Sequence, residues 1–129
     1  MHQGSCLCGA VSFRNDAPLG APIACHCIQC RKQSGHHFAA LPASWSALSF
    51  DGDDSLTWYR ASANAARGFC SLCGSTLFWR GDASQTVMIA MGALETTSDM
   101  TLSAHYWVSF KGDYYDIADD LPQYPEGAA

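Results

Sequence analysis

Three short runs alternate apolar and polar positions with a period of two: Ala10-Val11-Ser12-Phe13-Arg14, Ala47-Leu48-Ser49-Phe50 and Leu56-Thr57-Trp58-Tyr59-Arg60. A fourth, Thr86-Val87-Met88-Ile89-Ala90, is compact, apolar and rich in β-formers. Successive side chains of a strand point to opposite faces, so these four segments are predicted as strands with at least one buried face. Turn signals separate them at Ala17-Pro18-Leu19-Gly20, Asp51-Gly52-Asp53-Asp54 and Arg80-Gly81-Asp82. No segment sustains a 3.6-residue apolar period over three turns, and the best helical candidate is one short turn at Ile28 to Gln33. Pro122-Gln123-Tyr124-Pro125-Glu126-Gly127 reads as an extended, irregular terminus. The expected class is all-β, built of short antiparallel strands.

Length and charge narrow this picture. A chain of 129 residues fits one domain, 1–129, and is long enough to bury a sizeable core. The formal net charge of -5 argues against nucleic acid or an anionic membrane as partner, because both call for a concentrated basic surface. Most of the excess lies in residues 111–129, where Lys111 faces Asp113, Asp116, Asp119, Asp120 and Glu126. Met1-His2-Gln3-Gly4-Ser5-Cys6 shows no basic region followed by an apolar run, so a cytoplasmic protein is expected. The aromatics Trp58, Tyr59, Phe78, Trp79, Tyr106, Trp107, Phe110, Tyr114 and Tyr115 are expected mostly in the core.

The candidate chemistry is concentrated in seven cysteines, which fall in three clusters: Cys6-Leu7-Cys8, Cys25-His26-Cys27-Ile28-Gln29-Cys30 and Cys70-Ser71-Leu72-Cys73. Thiols one or two residues apart close on a single tetrahedral ion more readily than they form a disulfide framework, and an odd count leaves one unpaired. Two pairs give four ligands and a closed structural zinc. The triplet gives three ligands and two zinc ions per chain in all. Each pair ends in glycine, Gly9 and Gly74, which lets the backbone take positive φ and turn amides toward the sulfurs. For the triplet three outcomes stand. His36 or His37 reaches back and closes the site; the fourth position stays open for water or substrate; or the triplet is metal-free with one nucleophilic thiolate, activated by Arg31 and Lys32. His26, between two ligands of an extended segment, is expected to point away from the metal.

The runs Gly4-Ser5-Cys6-Leu7-Cys8-Gly9-Ala10-Val11, Cys25-His26-Cys27-Ile28-Gln29-Cys30-Arg31-Lys32-Gln33-Ser34-Gly35 and Phe69-Cys70-Ser71-Leu72-Cys73-Gly74-Ser75 strongly resemble the glutathione-dependent formaldehyde-activating enzyme family, also called the centromere protein V/formaldehyde-activating family. Leu121-Pro122-Gln123-Tyr124-Pro125-Glu126-Gly127 is similar to its C-terminal signature, so the likeness spans nearly the whole chain. The resemblance implies a small zinc-stabilised β-tent fold, a structural zinc on Cys6, Cys8, Cys70 and Cys73, and a catalytic zinc on Cys25, Cys27 and Cys30. It implies a carbon–sulfur lyase that joins glutathione and formaldehyde reversibly as S-hydroxymethylglutathione, or handles a related thiol–aldehyde adduct. For such an anionic peptide, Arg31 and Lys32 suit its carboxylates, and Gln33 and Ser34 offer hydrogen bonds. The likeness also sets residues 105–111 near the triplet, with His105 as acid or base and Lys111 as an anion partner. Against this stand a non-catalytic zinc-stabilised binding module and a thiol enzyme with another glutathione-like substrate. Two Cys-x-x-Cys pairs and a separate reactive cysteine, as in B-type methionine sulfoxide reductases, are absent here. The sequence sets no oligomeric state.

Overall fold

The computed structural model describes residues 1–97 and 99–127. Strands run at β1 (His2–Ser5), β2 (Ser12–Asn15), β3 (Ile23–Cys25), β4 (Phe38–Ser44), β5 (Leu48–Gly52), β6 (Leu56–Arg60), β7 (Ala65–Cys70), β8 (Thr76–Gly81), β9 (Thr86–Ala90) and β10 (His105–Tyr106), with one helix, α1 (Ile28–Ser34). Single 3₁₀ turns occupy Met91–Ala93 and Val108–Phe110. Two sheets form, one ordered β1-β2-β5 and one ordered β10-β3-β4-β9-β8-β7-β6. The strand pairings are antiparallel except β3 with β10, which run parallel in the register His105↔Ala24 and Tyr106↔Cys25. That one parallel pair departs from the all-antiparallel expectation. It arises because β10 returns to the sheet edge after a long excursion and not through a hairpin.

The two sheets meet through Phe13, whose ring stands edge-on to Phe78 at 5.0 Å. Val11, Leu41, Leu77, Phe78, Val87 and Ile89 are fully buried around this contact. Filling such a core with ring and branched side chains supplies most of the driving force for folding, at roughly 1.5–3 kcal/mol for each large side chain removed from water.

The predicted strands at 56–60 and 86–90 coincide with β6 and β9. The alternating run from Ala10 enters its strand only at Ser12, because residues 6–11 close into a loop through Cys6 N donating to Val11 O and Gly9 N to Cys6 O. Asp51 and Gly52, expected in a turn, finish β5; the reversal falls at Asp53, whose carbonyl takes the Leu56 amide. β4 carries Pro42 inside a central strand, an unusual place for a residue without an N–H. The edge is free there because β3 pairs only with residues 38–40, and Pro42 O instead accepts from the Gly20 amide at 2.8 Å.

Beyond Trp107 the chain doubles back on itself. His105 N donates to Pro122 O, Tyr124 N to His105 O, Trp107 N to Glu126 O and Val108 N to Tyr124 O. The irregular terminus expected at 122–127 is thus an extended strap clamped along 105–109, which is itself anchored on β3 beside Cys25. Among the described residues no helix is long and apolar enough to cross a membrane.

Candidate functional site

The first and third cysteine clusters come together as the sequence requires. Cys6 and Cys8 lie in the loop after β1, Cys70 ends β7, and Cys73 sits in the turn before β8. Gly9 and Gly74 take φ of +81° and +79°, the left-handed conformation that reverses the chain directly after each pair. All four sulfurs lie within 4.8 Å of one another, with Cys6–Cys8 at 3.7 Å and Cys8–Cys70 at 3.9 Å. A tetrahedral ion about 2.3 Å from four sulfurs spaces them about 3.8 Å apart, so the donor set fits zinc. Val11 N donates to Cys6 Sγ at 3.3 Å, and the Ser55 and Ser75 hydroxyls lie 3.4 Å from Cys70 Sγ and 3.2 Å from Cys73 Sγ. The Ser75 hydroxyl and nearby amides hold the Cys73 thiol down to about 5, and Ser55 lowers Cys70. Cys8, packed against the other three sulfurs, is pushed up to about 11, so the cluster favours thiolates at Cys70 and Cys73 and calls for a cation to ionise Cys8.

The triplet is built differently. Cys25 is the last residue of β3, Cys27 caps α1 by accepting the Cys30 amide at 3.4 Å, and Cys30 is buried in the first turn of the helix. Their sulfurs also lie within 4.8 Å of one another. The Cys25 and Cys30 thiols both bond to Cys27 and hold it down to about 2, while Cys25, hydrogen-bonded to the other two sulfurs, is pushed far above the ordinary thiol range. Three sulfurs this close share one negative charge easily, and full ionisation calls for a cation among them. Among the described residues no histidine joins this cluster, so a fourth ligand from His36 or His37 is not in place.

Sequence reasoning missed Arg67, the basic group that touches the triplet. Its guanidinium is 5% exposed in β7 and bonds Cys30 Sγ at 3.4 Å, Gln29 Oε1 at 3.2 Å and Gln33 Oε1 at 2.8 Å. The signal was present. Alternation from buried Ala65 puts Arg67 on an inward face, where a permanent charge needs an anionic or strongly polar partner.

Two of the four residues after the triplet have other partners. Gln33 accepts from Arg67, and Ser34 Oγ donates to Cys30 O at 2.7 Å and accepts from His36 N, closing the helix before Gly35 at φ +80°. Arg31 is half-buried and Lys32 exposed. None of Arg31, Lys32, Gln33 and Ser34 lines the large cavity beside the triplet. Lys111 donates to the carbonyls of Gly112 and Tyr115.

His26 does point away from the sulfurs. It is 1% exposed and sits in a hydrogen-bonded row: Asp119 to His105 Nε2 at 3.0 Å, His105 Nδ1 to His26 Nε2 at 2.9 Å, and His26 Nδ1 to the Tyr115 hydroxyl at 2.6 Å. Burial, and the neighbouring His37 and His105, depress His26 to about 4. Both nitrogens of His105 are thus engaged behind the loop, and it does not line the cavity.

That cavity measures about 750 Å³ and has Cys25, Cys27, Cys30 and Arg67 on one wall. Trp79, Tyr106, Trp107 and Phe110 line it as well. Of the aromatics expected in the core, Phe78 is fully buried, these four face the cavity, and Tyr59 and Tyr114 are exposed.

The sequence profile of the glutathione-dependent formaldehyde-activating enzyme family matches residues 1–110. The chain belongs to this family. Among its relatives, a Halomonas elongata protein named by inference as a glutathione-dependent formaldehyde-activating enzyme is 32% identical over 126 residues, covering 89% of this chain and 80% of its own. An uncharacterized lyase of Schizosaccharomyces pombe is 26% identical over 119 residues, covering 92% of this chain and 86% of its own. The crystal structure of a Rhodobacter sphaeroides protein shares the fold, with a TM-score of 0.62 at 24% identity, over 75% of this chain and 91% of that one. The family match ends at Phe110, so Tyr115, Asp119 and the strap at 122–127 lie beyond it.

Proposed function

We propose that this chain is a zinc-dependent carbon–sulfur lyase that joins and separates a small thiol and an aldehyde, with glutathione, formaldehyde and S-hydroxymethylglutathione as its reference reaction. The observation that carries the reading is the triplet: three thiols within 4.8 Å, backed by a buried arginine and opening onto a cavity. Family membership and relatives named as a lyase and as a formaldehyde-activating enzyme support it.

Two zinc ions are assigned per chain. Cys6, Cys8, Cys70 and Cys73 would hold one as a structural ion; Cys25, Cys27 and Cys30 would hold the other at the catalytic centre, where it would supply Lewis acidity. In the addition the thiol sulfur's electron pair forms the S–C bond, the carbonyl π pair moves onto oxygen, and the thiol proton ends on that oxygen. Reversal breaks the same bond. The protein positions the two reactants and stabilises charge, since this addition needs little more than proximity and a ready thiolate. Arg67 offsets the negative charge of the thiolate cluster, and the α1 cap fixes Cys27. Arg31 and Lys32, on α1 outside the cavity, receive the carboxylates of the peptide thiol, with Gln33 and Ser34 shaping that helix face. The protein works in the cytoplasm on a small-molecule thiol, without nucleic acid or membrane.

Exchange spectroscopy of glutathione with formaldehyde tests this. Zinc-loaded protein is expected to accelerate the exchange, each of Cys25→Ser, Cys27→Ser and Cys30→Ser to abolish the acceleration, and a double Gln replacement of Arg31 and Lys32 to weaken glutathione binding in a salt-sensitive way. An exchange rate equal to the uncatalysed one for glutathione and other small thiols overturns the reading.

A further inference from the structure

The cavity beside the triplet is far larger than a one-carbon aldehyde needs. Formaldehyde fills the space of one or two waters, at roughly 30 Å³ each, against a volume of about 750 Å³. Its wall is also the wrong chemistry for a peptide. Beyond the cysteines it is formed chiefly by Phe38, Trp79, Met88, Tyr106, Trp107 and Phe110, and among the described residues Arg67 is the one arginine, lysine or carboxylate side chain lining it. Arg67 is already bonded to Cys30, Gln29 and Gln33, so it is not free to receive glutathione's carboxylates.

Two details show that the aromatic wall is actively held. Trp107 has φ 60° and ψ 37°, a left-handed conformation that a bulky side chain avoids unless its surroundings impose it. Its amide is tied to Glu126 O at 2.7 Å, so the strap holds the backbone that carries the ring. Phe110, in the adjoining turn, keeps 42% of its surface exposed although it borders the cavity. An apolar ring left in water on the aromatic side of the cavity gains from an apolar occupant.

Resting on the lyase reading above, we propose that the aldehyde handled by this protein carries an apolar, ring-sized substituent, as an aromatic aldehyde does. The substituent occupies the cavity, and the polar peptide of the thiol component projects out of it. Chemistry at the triplet is unchanged: the S–C bond forms, the carbonyl pair goes to oxygen with the thiol proton, and no electron donor or acceptor is involved.

S-benzylglutathione and S-methylglutathione are a matched pair of unreactive probes. They are the deoxy analogues of the benzaldehyde and formaldehyde adducts and differ by one phenyl ring. Titration calorimetry, with tryptophan fluorescence to sense Trp79 and Trp107, is expected to show the benzyl compound binding at least tenfold tighter. Phe110→Ala, at a site exposed enough to leave folding intact, is expected to bring that ratio below threefold. Equal affinity for the two probes overturns the inference, and so does a preference that survives both Phe110→Ala and Trp79→Ala. Exchange spectroscopy with benzaldehyde and formaldehyde separates this from the parent reading. Acceleration of formaldehyde exchange alone overturns the substituent and leaves the lyase standing; tight benzyl binding with neither exchange accelerated overturns the lyase and leaves the cavity's preference standing.

Discussion

Two Cys-x-Cys loops in one chain have opposite surroundings. In Cys6-Leu7-Cys8 the middle residue is 88% exposed and the sulfurs face two more cysteines, a buried serine and a turn. In Cys25-His26-Cys27 the middle residue is 1% exposed, locked behind the loop, and the sulfurs face a helix cap, a buried arginine and a cavity. The same spacing thus serves closure in one place and access in the other. Ligand spacing says where a metal can sit; the count of partners and what packs behind the loop decide whether chemistry can reach it.

The largest effect should separate the two centres outright. Cys6, Cys8, Cys70 and Cys73 join the loop after β1 to the end of β7 and the turn before β8, so an ion held by them would link distant parts of both sheets. Structural zinc contributes roughly 10–16 kcal/mol in small domains. Cys70→Ala should unfold or aggregate, whereas Cys27→Ala should stay folded with one zinc. Elemental analysis with circular dichroism melting reads both. Equal loss of stability in the two variants breaks the distinction between the centres.

Arg67 sharpens the comparison at intermediate size. Of the two cysteine groups it contacts only the triplet, so Arg67→Met should weaken zinc binding there alone, by about 10- to 100-fold. Arg67→Lys keeps charge but loses the fork to Gln29 and Gln33 and should fall between. Competition with a chromophoric chelator resolves the two release steps. A shift of both steps, or of neither, would show that the arginine does not belong to the open centre.

Much of this was legible in the chain. Local spacing assigned the cysteine groups, the glycines at 9 and 74, and the outward aim of His26, because each depends only on neighbours along the backbone. Two of the four predicted strands matched in both bounds, while β1, β3, β4, β7, β8 and β10 were not predicted: β1 and β10 are short and partly polar, and the other four, with no exposed position or interrupted by Pro42 and Gly68, lack clean alternation. The partners of the triplet were hidden for another reason. Arg67 lies 37 residues from Cys30, and Asp119 and Tyr115 reach His105 and His26 only because the chain doubles back beyond Trp107. Contact across a sheet is not written in sequence neighbourhood.

The smallest prediction probes the side of the open loop that faces away from its sulfurs. His105 Nε2 meets the Asp119 carboxylate, His105 Nδ1 meets His26 Nε2, and His26 Nδ1 meets the Tyr115 hydroxyl, so both ring nitrogens of His26 are engaged inside the protein. Burial, with His37 and His105 nearby, lowers His26 to about 4, against about 6.5 in the unfolded chain. Between those values the unfolded chain binds the proton more readily, so this contribution is fully present above pH 6.5 and drains away as pH falls toward 4. Between pH 7 and 5 it amounts to roughly 1 to 2 kcal/mol. His26→Asn should melt at a lower temperature at pH 7 but show a flatter decline to pH 5 than the unaltered protein. Leu7→Asn, at the matched position of the closed loop, should keep the original slope. Acid release of zinc is common to all three proteins, so the difference in slope isolates His26. Identical slopes in all three would mean that the buried row carries no proton-linked stability, and that the two loops differ only on the side of their sulfurs.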